Sequence, residues 1–115
     1  MSGEKKTKQI GDDAEALAVE YLMNLNYEII EQNFYARKMG EIDIIAKKDN
    51  ILHFIEVKSA KADFDPIYNL TPRKLRRVIN STHYYLKIKN IDMPFCIDAI
   101  IIRKNEIDFI ENISI

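Results

Sequence analysis

The chain has 115 residues and a formal net charge of −1, from 17 Lys and Arg against 18 Asp and Glu. Because this length suits one domain, we expect residues 1–115 to fold as a single unit, with residues 1–10 flexible. The near-neutral charge excludes proteins that bind nucleic acid by bulk positive charge. Cys96 is the only cysteine, which excludes an intrachain disulfide and favours a cytoplasmic setting. No apolar run is long enough to cross a bilayer, so no membrane partner is expected.

The first predicted element is an amphipathic helix from Asp12 to Asn26. Asp12 or Asp13 can cap this helix, and a carboxylate there suits the positive end of the helix dipole. One apolar stripe with the helical period predicts the buried face, which consists of Ala14, Leu17, Ala18, Tyr21, Leu22 and Leu25.

Three strands are predicted next, over residues 27–36, 41–47 and 51–58. Asp49 and Asn50 form a two-residue hairpin turn between the last two strands. Such a turn fixes the register of the hairpin, and a slip of one residue would move every side chain to the other face.

The second half of the chain predicts one helix and two strands. Residues 59–70 are irregular, and Thr71 followed by Pro72 begins a helix that runs to about Lys89. Its inward stripe is Leu75, Val78, Ile79, Thr82 and Leu86. A buried strand over residues 95–102 and a last strand over residues 106–111 follow. The fold class is therefore α/β, a mixed sheet flanked by helices in the order α-β-β-β-α-β-β.

The predicted hairpin gathers charged side chains on one face. Asp43 lies opposite Glu56, and Glu41 lies opposite Lys58, with about 4.5–5.5 Å between the Cβ atoms of each pair. The other face is expected to be buried and carries Ile42, Ile44, Ile55 and Val57. Converging carboxylates raise each other's pKa unless a cation such as Mg²⁺ intervenes, and a neighbouring lysine can orient a water. This pattern predicts metal-assisted phosphodiester hydrolysis.

An ordinary surface explanation stays open for these charges. Glu41, Glu56 and Lys58 could form cross-strand ion pairs worth under about 1 kcal/mol each. Two features argue against that explanation. Apolar residues on the same face (Ile45, Leu52 and Phe54) cover part of it. Asp43 also interrupts a strand of otherwise strong strand formers.

These residues also resemble a known family. Asp43 followed by Glu56-Val57-Lys58 resembles the PD-(D/E)XK nuclease superfamily. More closely, the segments Gly40 to Ala46 (GEIDIIA) and Phe54 to Lys58 (FIEVK) are similar to the YraN-type family of small bacterial proteins. Further matches are Gly11, Glu15 and Ala18 with Tyr21-Leu22 in the first helix, and Lys74, Tyr85-Leu86 and Asp98 in the second half.

The resemblance implies a restriction-endonuclease-like fold similar to that of Holliday junction resolvases. It implies that Asp43 and Glu56 bind Mg²⁺ or Mn²⁺, that Glu15 completes the metal site, and that Lys58 is the catalytic lysine. The chain departs from the family pattern after Lys58. Ser59-Ala60 stands where the family tends to carry an arginine, so one phosphate contact is in doubt.

The charge is unevenly distributed along the chain. Residues 57–89 contain eight Lys and Arg against two Asp, and four of the basic residues are Arg73, Lys74, Arg76 and Arg77. A basic helix beside carboxylates predicts contact with a nucleic acid backbone. The resemblance to nucleases favours DNA over RNA as that partner. The alternative is a solvated helix face. A homodimer would suit an enzyme that cuts two strands, and no segment of the sequence identifies its interface.

The remaining titratable residues are interpreted as structural. His53 and His83 have no partner at zinc spacing, Cys96 begins a buried strand, and Asp98 is the only charge in that strand.

Three functions therefore stay open. The first is a metal-dependent endonuclease acting on branched or otherwise structured DNA, and the second is a nucleic-acid-binding module with weak or no catalysis on the same fold. The third is a structural interaction protein whose carboxylates are ordinary ion pairs.

Overall fold

The computed structural model describes residues 3–59, 71–104 and 106–113, with side chains described from Asp13 onward. These residues form five strands and two helices, and a short 3-10 turn (Arg37–Met39) precedes the second strand. The elements are α1 (Gly3–Asn24), β1 (Glu28–Tyr35), β2 (Glu41–Lys48), β3 (Ile51–Ser59), α2 (Pro72–Ile88), β4 (Phe95–Arg103) and β5 (Glu106–Ile110).

The five strands form one mixed sheet in the order β1-β2-β3-β4-β5. Neighbouring strands are antiparallel except β3 and β4, which run parallel because α2 connects them. The α/β class with a mixed sheet is as predicted. No helix in the described ranges has the length and apolar character needed to span a membrane.

Helix α1 begins at Gly3, well before the expected start at Asp12. Ala14, Ala18 and Leu22 form its buried stripe, whereas Leu17 and Leu25 are 47% and 37% exposed. The buried stripe is therefore narrower than the apolar sequence pattern indicates. The expected flexibility of residues 1–10 stays a prediction, since helical backbone conformation does not measure motion.

The β2–β3 hairpin has the predicted turn and register. Asp49 and Asn50 both have positive φ angles, 52° and 62°, as a tight two-residue turn of type I′ requires. The paired residues run from Lys48 opposite Ile51 to Ile44 opposite Ile55, which is the predicted alignment.

Two apolar clusters cover the two faces of the sheet. The cluster under α1 contains Ala14, Ala18, Leu22, Tyr27, Ile44, Ala46, Ile55, Ile100 and Ile102. The cluster under α2 contains Ile42, Ile45, Leu52, Phe54, Val78, Tyr85 and Ile97. The prediction that Ile42 shares a face with Ile44 was wrong. The regular β2–β3 pairing stops at Ile44, and the start of β2 is paired only with β1, where Ile42 lies opposite Phe34.

Helix α2 begins where Thr71 and Pro72 predict. Thr71 Oγ1 accepts a hydrogen bond from the Lys74 backbone N–H at 3.2 Å, and Pro72 occupies the first turn. Of the predicted inward stripe, Val78 and Thr82 are buried and the others are partly buried. Residues 60–70 lie outside the described residues, and the expectation of an irregular segment there stays a prediction.

Candidate metal and nucleic acid cleft

The predicted carboxylate pair lies where β2 and β3 stop pairing regularly. Asp43 Oδ2 accepts a hydrogen bond from the Val57 backbone N–H at 2.8 Å, so the side chain of β2 bonds directly to the backbone of β3. Glu56, the residue before Val57, is half-buried at the same position along the hairpin. The fold therefore brings Asp43 and Glu56 together, as the register predicts.

Burial raises the pKa of both carboxyl groups. Loss of solvent is the largest cause for Glu56, the nearby Asp43 adds to it, and together they raise the pKa of Glu56 to about 8. Lys58 and the Asp43 backbone N–H oppose this change. Burial also raises the pKa of Asp43, while the Val57 N–H and Lys58 lower it. The pair is therefore unfavourable as two bare anions and favours the binding of a proton or a cation.

The donor set fits a hard divalent cation. Within the part of the chain that the structure describes, Glu56 Oε1 is a buried oxygen without a hydrogen-bond partner. Such an orphaned acceptor is costly unless a ligand satisfies it. Carboxylate oxygens are also the ligands that Mg²⁺ prefers. Asp43 and Glu56 could therefore hold such an ion.

Lys58 stands beside the carboxylates on β3. Its Nζ lies 4.0 Å from Glu56 Oε2, and its side chain is 32% exposed against 12% for Glu56. The ammonium is therefore close enough to respond to the carboxylate charge and open enough to reach a bound molecule.

The carboxylate site opens into a small cleft between the sheet and α2. The cleft has a volume of about 170 Å³ and is lined by Met39, Gly40, Glu41, Glu56, Lys58, Lys74, Arg77 and Val78. The hairpin contributes Glu41, Glu56 and Lys58, and the first two turns of α2 contribute Lys74 and Arg77. A ligand there would meet both kinds of charge at once.

Only part of the predicted basic cluster faces this cleft. Lys74 and Arg77 line it, whereas Arg73 and Arg76 are exposed on α2 outside the lining residues. Arg77 Nε donates a hydrogen bond to the Met39 carbonyl at 3.4 Å, which ties α2 to the turn before β2. Residues three apart on a helix share a face. Lys74 and Arg77 therefore lie together at the cleft, and Arg73 and Arg76 lie together outside it.

Glu15 lies half-buried on α1, next to Ala14 of the cluster under α1. Glu56 and Lys58 line the cleft on the α2 side of the sheet. The predicted role of Glu15 in completing a metal site stays a prediction.

A second group of polar side chains was missed by sequence reasoning. His53 Nδ1 lies 2.6 Å from Asp98 Oδ2 and 3.0 Å from Cys96 Sγ. His53 is 45 residues from Asp98 and 43 from Cys96, so their contact depends on the parallel pairing of β3 with β4. No local spacing signals that pairing. His83, in contrast, is exposed on α2 and packs edge-on against Phe95.

The fold and the cleft define a class of protein: an α/β domain with a five-stranded mixed sheet and a carboxylate–lysine cluster beside a basic helix. The family model described as "Uncharacterised protein family UPF0102" matches residues 14–102. The chain belongs to this family, which confirms the resemblance to YraN-type proteins at the level of the family.

Several UPF0102 proteins are similar to the chain over nearly its whole length. One from Sulfurovum sp. (strain NBC37-1) is 60% identical over 108 residues, 94% of this chain and 96% of the relative. One from Wolinella succinogenes is 56% identical over 105 residues, 91% of this chain and 95% of the relative. One from Helicobacter hepaticus is 48% identical, again over 91% of this chain and 94% of the relative.

Proposed function

We propose that the chain is a Mg²⁺- or Mn²⁺-dependent endonuclease that hydrolyses phosphodiester bonds of DNA, with a restriction-endonuclease-like fold. The observation that carries the proposal is the half-buried pair of Asp43 and Glu56 with Lys58 beside it, next to a cleft that Lys74 and Arg77 also line. Structural ion pairs alone would leave Glu56 Oε1 without a partner.

Asp43 and Glu56 would hold the divalent cation through their carboxylate oxygens. A cation bound there supplies positive charge next to the phosphate that is attacked. The pKa of Glu56, raised to about 8 by burial and by Asp43, marks a carboxylate that gains from a positive neighbour.

Lys58 would act on the attacking water. Its ammonium can hold a water by hydrogen bonding and can offset the negative charge that develops on phosphate oxygens. Lys74 and Arg77 would bind the flanking phosphates, which fixes the backbone of the DNA across the cleft without reading its sequence. This division of roles favours recognition of DNA shape, including branched DNA.

The test is cleavage by the chelator-treated full chain after Mg²⁺ or Mn²⁺ is added back. Supercoiled plasmid, single-stranded DNA and a four-way junction are the substrates. Asp43→Asn and Glu56→Gln should remove metal-dependent cleavage, and Lys58→Met should lower its rate by about 10²- to 10⁴-fold. Two exposed residues outside the cleft lining, Glu28 and Lys87, give the matched controls Glu28→Gln and Lys87→Met, which should keep the wild-type rate.

Two results would contradict the endonuclease. One is cleavage by Asp43→Asn and Lys58→Met at the wild-type rate, which would indicate a contaminating nuclease. The other is the absence of metal-dependent cleavage on every substrate.

A nucleic-acid-binding module without catalysis is the second candidate. It is favoured by the position of Lys58, whose ammonium is 4.0 Å from Glu56 and would then serve as the partner of that carboxylate. In this case the wild-type chain binds DNA in a salt-dependent manner and cleaves none of the three substrates.

A further inference from the structure

His53, Cys96 and Asp98 bring three kinds of metal-binding atom together on the α1 side of the sheet. His53 is directly opposite Cys96 in the parallel β3–β4 pair, and Asp98 follows Cys96 by two residues, so all three side chains leave the same face. An imidazole nitrogen, a thiol sulfur and a carboxylate oxygen thus lie within 4.8 Å of one another.

The distances suit ligands around a shared centre. Cys96 Sγ lies 3.0 Å from His53 Nδ1 and 3.7 Å from Asp98 Oδ2, while Nδ1 and Oδ2 are 2.6 Å apart. Both neighbours approach the same imidazole nitrogen, which has one in-plane position for a hydrogen or a lone pair. Asp98 and Cys96 therefore compete for that position, and the Cys96 thiol has Asp98 Oδ2, at 3.7 Å, as its other hydrogen-bond acceptor.

Asp98 is held so that one oxygen faces the cluster. It is fully buried, and its Oδ1 accepts a hydrogen bond from the Asn112 backbone N–H at 2.7 Å. Outer bonds of this kind orient the ligands of metal sites. Tyr27 packs edge-on against the His53 ring, with 5.0 Å between the ring centroids, and limits the freedom of the imidazole.

The metal-free cluster holds Cys96 as a neutral thiol. Burial is the largest cause that raises the pKa of Cys96, to about 12, and Asp98 and Glu111 raise it further, so a bound ion must displace the thiol proton. A thiolate and the Asp98 carboxylate together carry two negative charges, which a dication would neutralise.

We propose that His53, Cys96 and Asp98 form a site for a transition-metal dication, and that Zn²⁺ is the ion whose ligand preferences it fits. Sulfur and imidazole ligands select Zn²⁺ over Mg²⁺ and Ca²⁺, which prefer oxygen. Zinc bonds of about 2.3 Å to sulfur and 2.0–2.1 Å to nitrogen require the three atoms to move apart slightly from their hydrogen-bonded positions.

Binding is balanced in protons and charge. The Cys96 thiol releases its proton to solvent, His53 keeps its proton on Nε2 and offers the lone pair of Nδ1, and Asp98 binds as the carboxylate. Zn²⁺ with one thiolate and one carboxylate is neutral overall. A water would supply the fourth ligand and keep the complex neutral.

The site is independent of the proposed nuclease cleft. Its residues lie near the starts of β3 and β4, and none of them lines the cleft that contains Glu56 and Lys58. Zinc bound there would join β3, β4 and the segment after β5 through Asp98 and Asn112, so its expected effect is structural.

The test uses the full chain, freed of metal by a chelator and titrated with Co²⁺ and Zn²⁺. One equivalent of Co²⁺ should give a near-ultraviolet thiolate-to-cobalt charge-transfer band, which Zn²⁺ then displaces. Cys96 is the only cysteine, so this band reports on one residue. Cys96→Ser should abolish the band, and Cys96→Ser or His53→Gln should weaken Zn²⁺ binding by about 100-fold or more.

Matched controls separate this site from other metal ligands. His83→Gln removes the other histidine, and Asp43→Asn removes a carboxylate of the cleft, and both variants should keep the cobalt band. A wild-type chain without the band, or Zn²⁺ affinity that is unchanged in Cys96→Ser, would overturn the proposal. Loss of Zn²⁺ binding in Asp43→Asn instead of Cys96→Ser would assign the ion to the cleft.

A measurement on the wild-type chain remains if a variant fails to fold. One equivalent of Zn²⁺ should slow the alkylation of the Cys96 thiol at least severalfold, and equimolar Mg²⁺ should not. An alkylation rate that is the same with and without Zn²⁺ would contradict the site.

Discussion

The carboxylate of Asp43 takes the place of a strand partner for Val57. Its Oδ2 accepts the Val57 backbone N–H at 2.8 Å, just beyond the last regular pair of β2 and β3, Ile44 with Ile55. One side chain therefore closes the end of the hairpin and also acts by its charge on Glu56, which lines the cleft. Structural and functional effects of Asp43 can be separated because a neutral oxygen can accept the Val57 hydrogen bond, whereas the proposed cation site also needs the negative charge of the carboxylate.

Substitution of Asp43 by Asn and by Ala should have different effects on stability. Asparagine keeps an oxygen that can accept the Val57 N–H, whereas alanine leaves that N–H without its acceptor. We expect the Ala variant to be less stable than the Asn variant by about 1–3 kcal/mol, measured by urea denaturation in chelator. Both variants should lose metal-dependent activity. Equal unfolding free energies would show that the hydrogen bond contributes nothing.

The pKa of Glu56 predicts how the stability of the metal-free chain depends on pH. The folded state keeps the proton of Glu56 up to a pKa of about 8, and the ordinary value is 4.5. Between these values the folded chain binds more protons than the unfolded chain, so the unfolding free energy falls as pH rises. One unit of pKa difference corresponds to about 1.4 kcal/mol, so the loss is on the order of a few kcal/mol.

Glu56→Gln should remove most of this pH dependence, because the amide does not titrate. The measurement is the melting temperature in chelator across the same pH range, with Glu28→Gln as the control at an exposed carboxyl group. Parallel curves for wild type and Glu56→Gln would show that another group is responsible. Added Mg²⁺ should flatten the wild-type curve if the ion binds to the carboxylates.

The two basic pairs of α2 should differ in their contribution to DNA binding. Lys74 and Arg77 line the cleft, and Arg73 and Arg76 do not. We expect Lys74→Ala and Arg77→Ala each to lower the slope of log affinity against log salt concentration by about 1, as loss of one phosphate contact does. Arg73→Ala and Arg76→Ala, measured by fluorescence anisotropy on the same junction DNA, should change the slope less. The reverse order would place the DNA on the outer face of α2.

The local parts of the fold could be predicted from the sequence. Asp49-Asn50 determines a tight turn, the turn determines the register of β2 and β3, and Thr71-Pro72 determines the start of α2. Each of these depends on interactions between residues close together in the chain. The mixed sheet follows from the order of the elements, because short connections join the antiparallel neighbours and α2 joins the parallel pair of β3 and β4.

Contacts across the parallel strands could not be predicted in the same way. β3 and β4 are separated in the chain by α2, and no local sequence pattern indicates that His53 lies opposite Cys96. A histidine and a cysteine that look isolated in the sequence therefore meet in the structure. The prediction of which sheet face Ile42 occupies was also wrong. It assumed that side chains alternate strictly along a regular strand, and β2 departs from regular pairing at Asp43.

Gly40 determines how the chain enters β2, and its backbone conformation explains why a glycine is there. Its φ of 127° and ψ of −151° lie in a region that is essentially restricted to glycine. A Cβ at this position would lie 3.7 Å from the Arg77 guanidinium and from Ser81 Oγ, which is an ordinary contact. Alanine would therefore be strained by its backbone and not by lack of space.

Gly40→Ala should lower the unfolding free energy by about 1–3 kcal/mol through this strain. If the backbone relaxes to relieve it, Glu41 and the Met39 carbonyl that accepts from Arg77 must move, so DNA binding should weaken as well. The measurements are urea denaturation and junction binding, with Ser81→Ala as the control that changes a contact of the same site without backbone strain. A Gly40→Ala variant as stable as wild type would show that this segment adopts a less restricted conformation in solution. If Gly40→Ala lowers stability and leaves DNA affinity unchanged, the conformation of this turn does not contribute to DNA binding.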